Sequence, residues 1–226
     1  GAVSFTGSAA STGSAVVYNS GTSKFQGAAF DSNSNKIIIA YMDAGNSEHG
    51  TAIVGTVNNS DNSISFGSEV VFQNSAIRDD AVGMSVVFDS NVNRVVICYR
   101  DNNYKGSAIV GTVSGTSISF GTAVVFSDAS TDGISAAFDS NVNKVAIAYN
   151  LGDAGKGIVG TVDSSDNSIS FGSEAALANT NVSESKSTVF DSSSNKIVVS
   201  YGNTSNSTIG TSVVGTISGT NISFGT

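Results

Sequence analysis

Apolar residues in this chain come in short runs broken by clusters of Ser, Asn, Asp and Gly, and no stretch sustains the i, i+3, i+4 spacing of an amphipathic helix. Val, Ile, Thr and Phe fill the runs, which is strand composition. Residues 134–139 read as a strand, 140–143 as a turn, 144–149 as a second strand and 157–162 as a third. A turn at 163–167 leads into a longer fourth strand running from 168 toward 177. The pattern predicts a four-stranded antiparallel meander.

The same pattern recurs. Phe-Asp-Ser begins at Phe30, Phe88, Phe138 and Phe190, at intervals of 58, 50 and 52 residues. An (Ile/Val)-Val-Gly-Thr segment starts at Ile53, Ile109, Ile158 and Val213, and Ile-Ser-Phe-Gly at Ile64, Ile118, Ile169 and Ile222. Landmarks repeated in fixed order at a period of about 50 residues mark a solenoid, propeller or array. The four copies cover residues 25–72, 84–126, 134–177 and 187–226.

The second strand of each copy is apolar on both faces, as in Ile37, Ile38, Ile39, Ala40 and Tyr41, so both faces must be covered. Twisted four-stranded sheets packed radially against neighbours do this. The first strands carry small residues beside one Phe (Ala28 and Ala29, Ala136 and Ala137), which suits the crowded centre of a ring. The expected fold is therefore all-β, one domain over 1–226: a four-bladed β-propeller of four-stranded antiparallel blades, closed by strands from both termini. In this reading residues 1–18 are the closing segment, with 15–18 extending the outer edge of the fourth blade; the alternative is a piece of a longer array. Tyr41, Tyr99, Tyr149 and Tyr201 end the second strands, where aromatic faces could stack on sugars. By parity they share the face of Ile37 and Ile39, which places them in the packing between blades. Cys98 stands where other copies have Ala40, Ala148 and Ser200, and reads as a small buried thiol.

Composition narrows the partners. Charged residues are 12% of the chain against about 25% in an average soluble protein, so the surface is mainly hydroxyl and amide, which points to an extracellular or virion surface. A net charge of −8 opposes binding to phosphate backbones and anionic membranes, so no nucleic-acid partner is expected. No apolar run reaches the length of about 18 residues that a membrane-inserted helix needs. One cysteine allows neither an intrachain disulfide nor a cysteine metal cluster. Gly1 is preceded by no Met and followed by no signal-peptide pattern, which reads as a processed or excerpted chain.

Phrases such as FDSNSNKIIIAY, GTAIVGTV and SGTSISFGT resemble tandem propeller repeats of uncharacterised phage and bacterial surface proteins, over nearly the whole chain. The resemblance implies display or receptor binding outside the cell and supplies no catalytic residues. With no Trp, the chain lacks the signatures of WD40 repeats, sialidase Asp-boxes and tachylectin-type lectins.

The hairpin turns are near-copies (32–35, 90–93, 140–143, 192–195), whereas the loops at the opposite end of the blades differ and hold most of the charge. Function gathers on loops held by a rigid scaffold. The expected ligand-binding residues are Asp43, His49, Arg100, Asp101, Tyr104 and Asp153. Loops between copies add Arg78, Asp79, Asp80, Asp128, Asp132, Glu184 and Lys186 to the same end. The expected partner is a glycan or cell-surface receptor, and the expected function a non-enzymatic recognition or adhesion module, with a purely structural repeat for display or assembly as the alternative and a glycoside-active enzyme as the third reading. No metal or cofactor is expected. Asp31-Ser-Asn33-Ser-Asn35 begins like a calcium loop, but Lys36 and Met42 stand where the loop needs Gly and Glu, so it reads as an Asx turn. His49, the only histidine, has no nucleophile motif to serve, and pairing Asp79 or Asp80 with Asp101 gives no carboxylate separation from which glycosidase chemistry could be argued.

Overall fold

The computed structural model describes residues 13–77, 83–178 and 182–225. Four β-meanders follow one another, each opened by a Phe-Asp strand end and a tight turn. The first unit holds β1 (Ser23–Asp31), β2 (Lys36–Asp43), β3 (His49–Asn58), β4 (Ser63–Phe66) and β5 (Val70–Ala76). The second holds β6 (Ser85–Asp89), β7 (Arg94–Arg100), β8 (Lys105–Ser114) and β9 (Ser117–Phe120), after which β10 (Val124–Asp139) passes into the third. The third continues with β11 (Lys144–Leu151), β12 (Ala154–Asp163), β13 (Ser168–Phe171) and β14 (Ala175–Ala178), and the fourth is β15 (Val182–Asp191), β16 (Lys196–Asn203), β17 (Ile209–Ser218) and β18 (Asn221–Phe224).

In the first three units the expected long fourth strand is two strands on one partner. β13 pairs with the second half of β12 (Thr161 opposite Ser170), and β14 with its first half (Lys156 opposite Ala176). The break falls at Gly172, where an added Cβ would collide with the Thr220 carbonyl of the next unit. Gly67 against Thr116 and Gly121 against Asn167 repeat the arrangement, and Gly13 lies in the same way against Asn62. Only a residue without a side chain lets the backbones approach so closely.

Each turn between the first two strands is held by its aspartate. The Asp31 carboxylate accepts from the amides of Asn33 and Ser34, Asp139 from Asn141 and Val142, and Asp191 from Ser193 and Ser194. Asn35, Asn93, Asn143 and Asn195 then take left-handed φ values of 54° to 56°, a region that Asn tolerates better than most residues. This is the Asx turn that the sequence suggests.

Three apolar clusters lie between consecutive units. Ile38, Ala40, Ala52, Val54 and Phe72 of the first unit face Val95, Ile97, Tyr99, Ile109 and Ile118 of the second. Val96, Cys98, Ala108, Val110 and Phe126 face Val145, Ile147, Tyr149 and Ile158 in the next interface, and Ala146, Ala148, Val159 and Leu177 face Ile197, Val199 and Ile222 in the last. Each unit thus has a leading face and a trailing face. Tyr99 and Tyr149 are buried among these contacts, and Tyr41 is buried on the opposite face of the first unit. Tyr41 donates to Glu69 at 2.6 Å, Tyr99 to Gln73 at 3.1 Å and Tyr149 to Glu174 at 2.8 Å. Burial first, and then the Glu69 hydrogen bond, raise the Tyr41 phenol far above its usual value. Cys98 is buried, and burial pushes its thiol up to about 12, so it is a poor nucleophile at neutral pH.

The sheets do not close into a ring. Three hydrogen-bonded sheets of five, nine and four strands are formed, the middle one joined through β10. Residues 13–18 form no strand and do not pair with the fourth unit as expected; Tyr18 instead packs on Tyr41 and Phe66 of the first. The physical reason is that Tyr41 and Phe66 lie on the trailing face of the first unit, which no other unit covers. Residues 1–12 of the expected closing segment lie outside the described residues.

Candidate functional site

The loops that link second to third strands and the crossovers that link units come together at one end of the meanders. The Thr131 amide donates to the Tyr104 carbonyl at 2.9 Å, and the Val182 amide to the Asp153 carbonyl at 3.0 Å. Lys105 reaches Asp128 at 2.7 Å, and that hydrogen bond raises the lysine above its ordinary value. Arg78, Asp79 and Asp80 lie outside the described residues.

Most of the expected contact residues are engaged in building these loops. Asp43 is buried and accepts from the Gly45 amide, capping a short 3-10 turn. His49 opens β3 opposite Asp43 and is half-buried. Arg100 is buried, forms an ion pair with Asp132 and lies 4.5 Å from the centre of the Tyr104 ring. Asp101 is buried and accepts from the amides of Asn103 and Lys105 and from the Ser107 hydroxyl. Tyr104 has φ 66°, so its backbone is held in the left-handed region by these bonds. Of the six, only Asp153 is exposed.

Asp153 belongs to a polar cleft between the loops of the third and fourth units. The cleft has a volume of about 390 Å³ and is lined by Asn150, Gly152, Asp153, Val182, Ser183, Ser185 and Thr204. Asn150 is buried and donates through Nδ2 to the Val182 carbonyl at 2.8 Å, while its Oδ1 is buried without a partner among the described residues. Such an oxygen is costly to leave dry. Asn150 was not singled out from sequence. The signal was there: it stands where the other copies have Met42, Arg100 and Gly202, a buried amide at the head of a loop.

No family model and no curated protein matches the chain. Among solved structures it is similar to the Dos1 propeller, with a TM-score of 0.50 and 15% identity over 83% of this chain. The fold is β-propeller-like. The chain spans 43% of the length of that propeller, and at this identity the likeness concerns fold alone.

Proposed function

We propose that the chain is a non-enzymatic recognition module for glycans, displayed on an extracellular or virion surface. The observation that supports it is the polar cleft at the blade ends, where Asn150, Asp153, Ser183, Ser185 and Thr204 present amide, carboxylate and hydroxyl groups beside a buried, unpartnered amide oxygen. A sugar offers hydroxyls that both donate and accept, and binding sites fix orientation through a few placed polar groups of this kind. The neighbouring loops differ between blades, so the cleft is asymmetric and suits one ligand rather than four equal ones. A glycan array probed with the whole chain tests this. Binding should weaken at least tenfold in Asp153→Ala and Asn150→Ala, with melting unchanged in Asp153→Ala.

The alternative is a purely structural repeat, favoured by one observation: Asp43, Arg100 and Asp101 all serve their own loops. An array with no ligand above background would favour that reading.

A further inference from the structure

The three junctions between consecutive units are built on one frame. The Ile77 amide donates to the Glu48 carbonyl at 2.8 Å, the Thr131 amide to the Tyr104 carbonyl at 2.9 Å and the Val182 amide to the Asp153 carbonyl at 3.0 Å. In each case the crossover into a unit is tied to a loop of the unit before it. Each junction also holds the residue that follows the buried tyrosine of the second strand: Met42, Arg100 or Asn150, all buried.

What fills the frame differs from junction to junction. At the first, Met42 shares an apolar cluster with Ile77 and Met84. At the second, Arg100 forms an ion pair with Asp132 of the crossover, and its guanidinium lies 4.5 Å from the centre of the Tyr104 ring. The second junction thus carries its own cation, with a carboxylate and an aromatic against it. At the third, the residues matching Arg100, Asp132 and Tyr104 are Asn150, Ser183 and Asp153: one follows the tyrosine, one follows the amide donor and one supplies the carbonyl. Asn150 is far shorter than Arg100 and no ring stands in the place of Tyr104, so this junction is open as the cleft of about 390 Å³.

The cation is gone from the third junction, but a carboxylate is still there. Asp153 is exposed, and its side chain has no hydrogen-bond or ion-pair partner among the described residues. The lysines on the strands around it are engaged or distant. Lys156 pairs with Glu174 at 2.8 Å, and Lys186 donates to the carbonyls of Gly133 and Ser183 at 3.2 Å. Lys144 and Lys196 begin their strands at the opposite end of the blades.

The floor of the cleft has the same polarity. Asn150 Nδ2 is committed to the Val182 carbonyl at 2.8 Å, which fixes the amide with Oδ1 as an acceptor, buried and without a partner among the described residues. A carboxylate and an amide oxygen therefore face a ligand, with the Ser185 and Thr204 hydroxyls on the same cleft. A positively charged group with several N–H donors answers both acceptors, and such charge-assisted bonds are the strong ones. The net charge of −8 favours the approach of a cation.

We infer that the cleft takes an amino sugar with a free, protonated amine. The ammonium is held by Asp153 and Asn150 in the junction position where the second unit holds its own guanidinium, and sugar hydroxyls meet Ser185 and Thr204. This assignment rests on the glycan reading above and narrows it. N-acetylation removes the charge that Asp153 needs, and an acidic sugar sets a second carboxylate against it, which is costly. An arginine or lysine of a protein partner supplies the cation but no hydroxyls for Ser185 and Thr204.

Calorimetric titration of the whole chain with a glucosamine oligomer, its N-acetylated counterpart and a glucose oligomer of equal length tests the assignment. The free-amine oligomer should bind at least tenfold more tightly than the other two, and added salt should weaken it. Asp153→Asn keeps size and polarity but removes the charge. It should weaken the free-amine oligomer at least tenfold, leave any binding of the neutral oligomers unchanged and leave melting unchanged. Asn150→Arg combined with Ser183→Asp returns a resident guanidinium and carboxylate to the junction, and should abolish binding while the β-sheet circular dichroism spectrum is kept. Equal binding of a neutral oligomer would overturn the amine assignment and leave the glycan reading standing, and so would amine binding indifferent to Asp153→Asn. Failure of all three oligomers to bind overturns the assignment, and a glycan array without any ligand removes the broader reading as well. Tighter binding of an arginine peptide than of the amine oligomer would move the cation from sugar to protein and overturn it likewise.

Discussion

The rings of Tyr18 and Tyr41 meet edge-on with centroids 5.2 Å apart, the separation at which Phe72 meets Tyr99 one blade further along. Tyr18 is half-buried, and it shields Tyr41 and Phe66 from water. Tyr18→Ala should therefore lower the unfolding free energy by about 1–3 kcal/mol, less than a fully buried aromatic would. Urea denaturation checks this, and an unchanged midpoint would mean that the segment contributes nothing to the first blade.

The glycines beneath the outer-strand aromatics set a second expectation. Gly106→Val should force the Phe126 ring from its place and cost about 1–3 kcal/mol. In a Phe126→Ala background the same substitution should cost much less, because the colliding ring is gone. Equal costs in both backgrounds would place the strain elsewhere.

Two aspartates of near-identical turns should respond to acid with opposite signs. The Ser193 and Ser194 side chains, and then their amides, hold Asp191 down at about 2. Its contribution is complete above the unfolded value of about 4 and is lost as the pH falls toward about 2. Asp89 is raised, because burial outweighs the Val92 and Asn91 amides. Its folded form gains stability as the pH falls through that raised value toward about 4. Asp191→Asn should flatten the acid loss, and Asp89→Asn should remove the gain. Urea midpoints across this range test it; changes of the same sign would contradict it.

Asp101 and Asp153 should separate structure from recognition. Asp101→Ala leaves the amides of Asn103 and Lys105 without their acceptor in a buried loop, at a cost of about 1–3 kcal/mol. Asp153→Ala, on an exposed side chain, should shift stability by less than about 0.5 kcal/mol. Thermal melts of the two variants give the comparison.

Much of the fold was legible in the chain. Runs apolar on both faces, such as Ile37 to Tyr41, require cover on both sides, and the burial of Tyr41, Tyr99 and Tyr149 follows from their parity with Ile37 and Ile39. The division of the long fourth strand was not, because Gly172 looks like any strand glycine until the Thr220 carbonyl of the next blade is seen beside it. The loops were located by their variety, but charge alone does not show whether a side chain faces a ligand or its own backbone. Asp101 and Arg100 satisfy local donors and an ion pair, while neutral Asn150 keeps an oxygen with no partner among the described residues.

The close approach of Gly67, Gly121 and Gly172 to the carbonyls of Thr116, Asn167 and Thr220 has an evolutionary consequence. Spacing between neighbours is gauged there by main chain against main chain, so it depends little on which copy is adjacent. Unequal recombination between genes for such arrays could then add or drop a whole copy, and the new neighbours would meet through a contact already in use. The number of copies in such arrays should thus change by whole units.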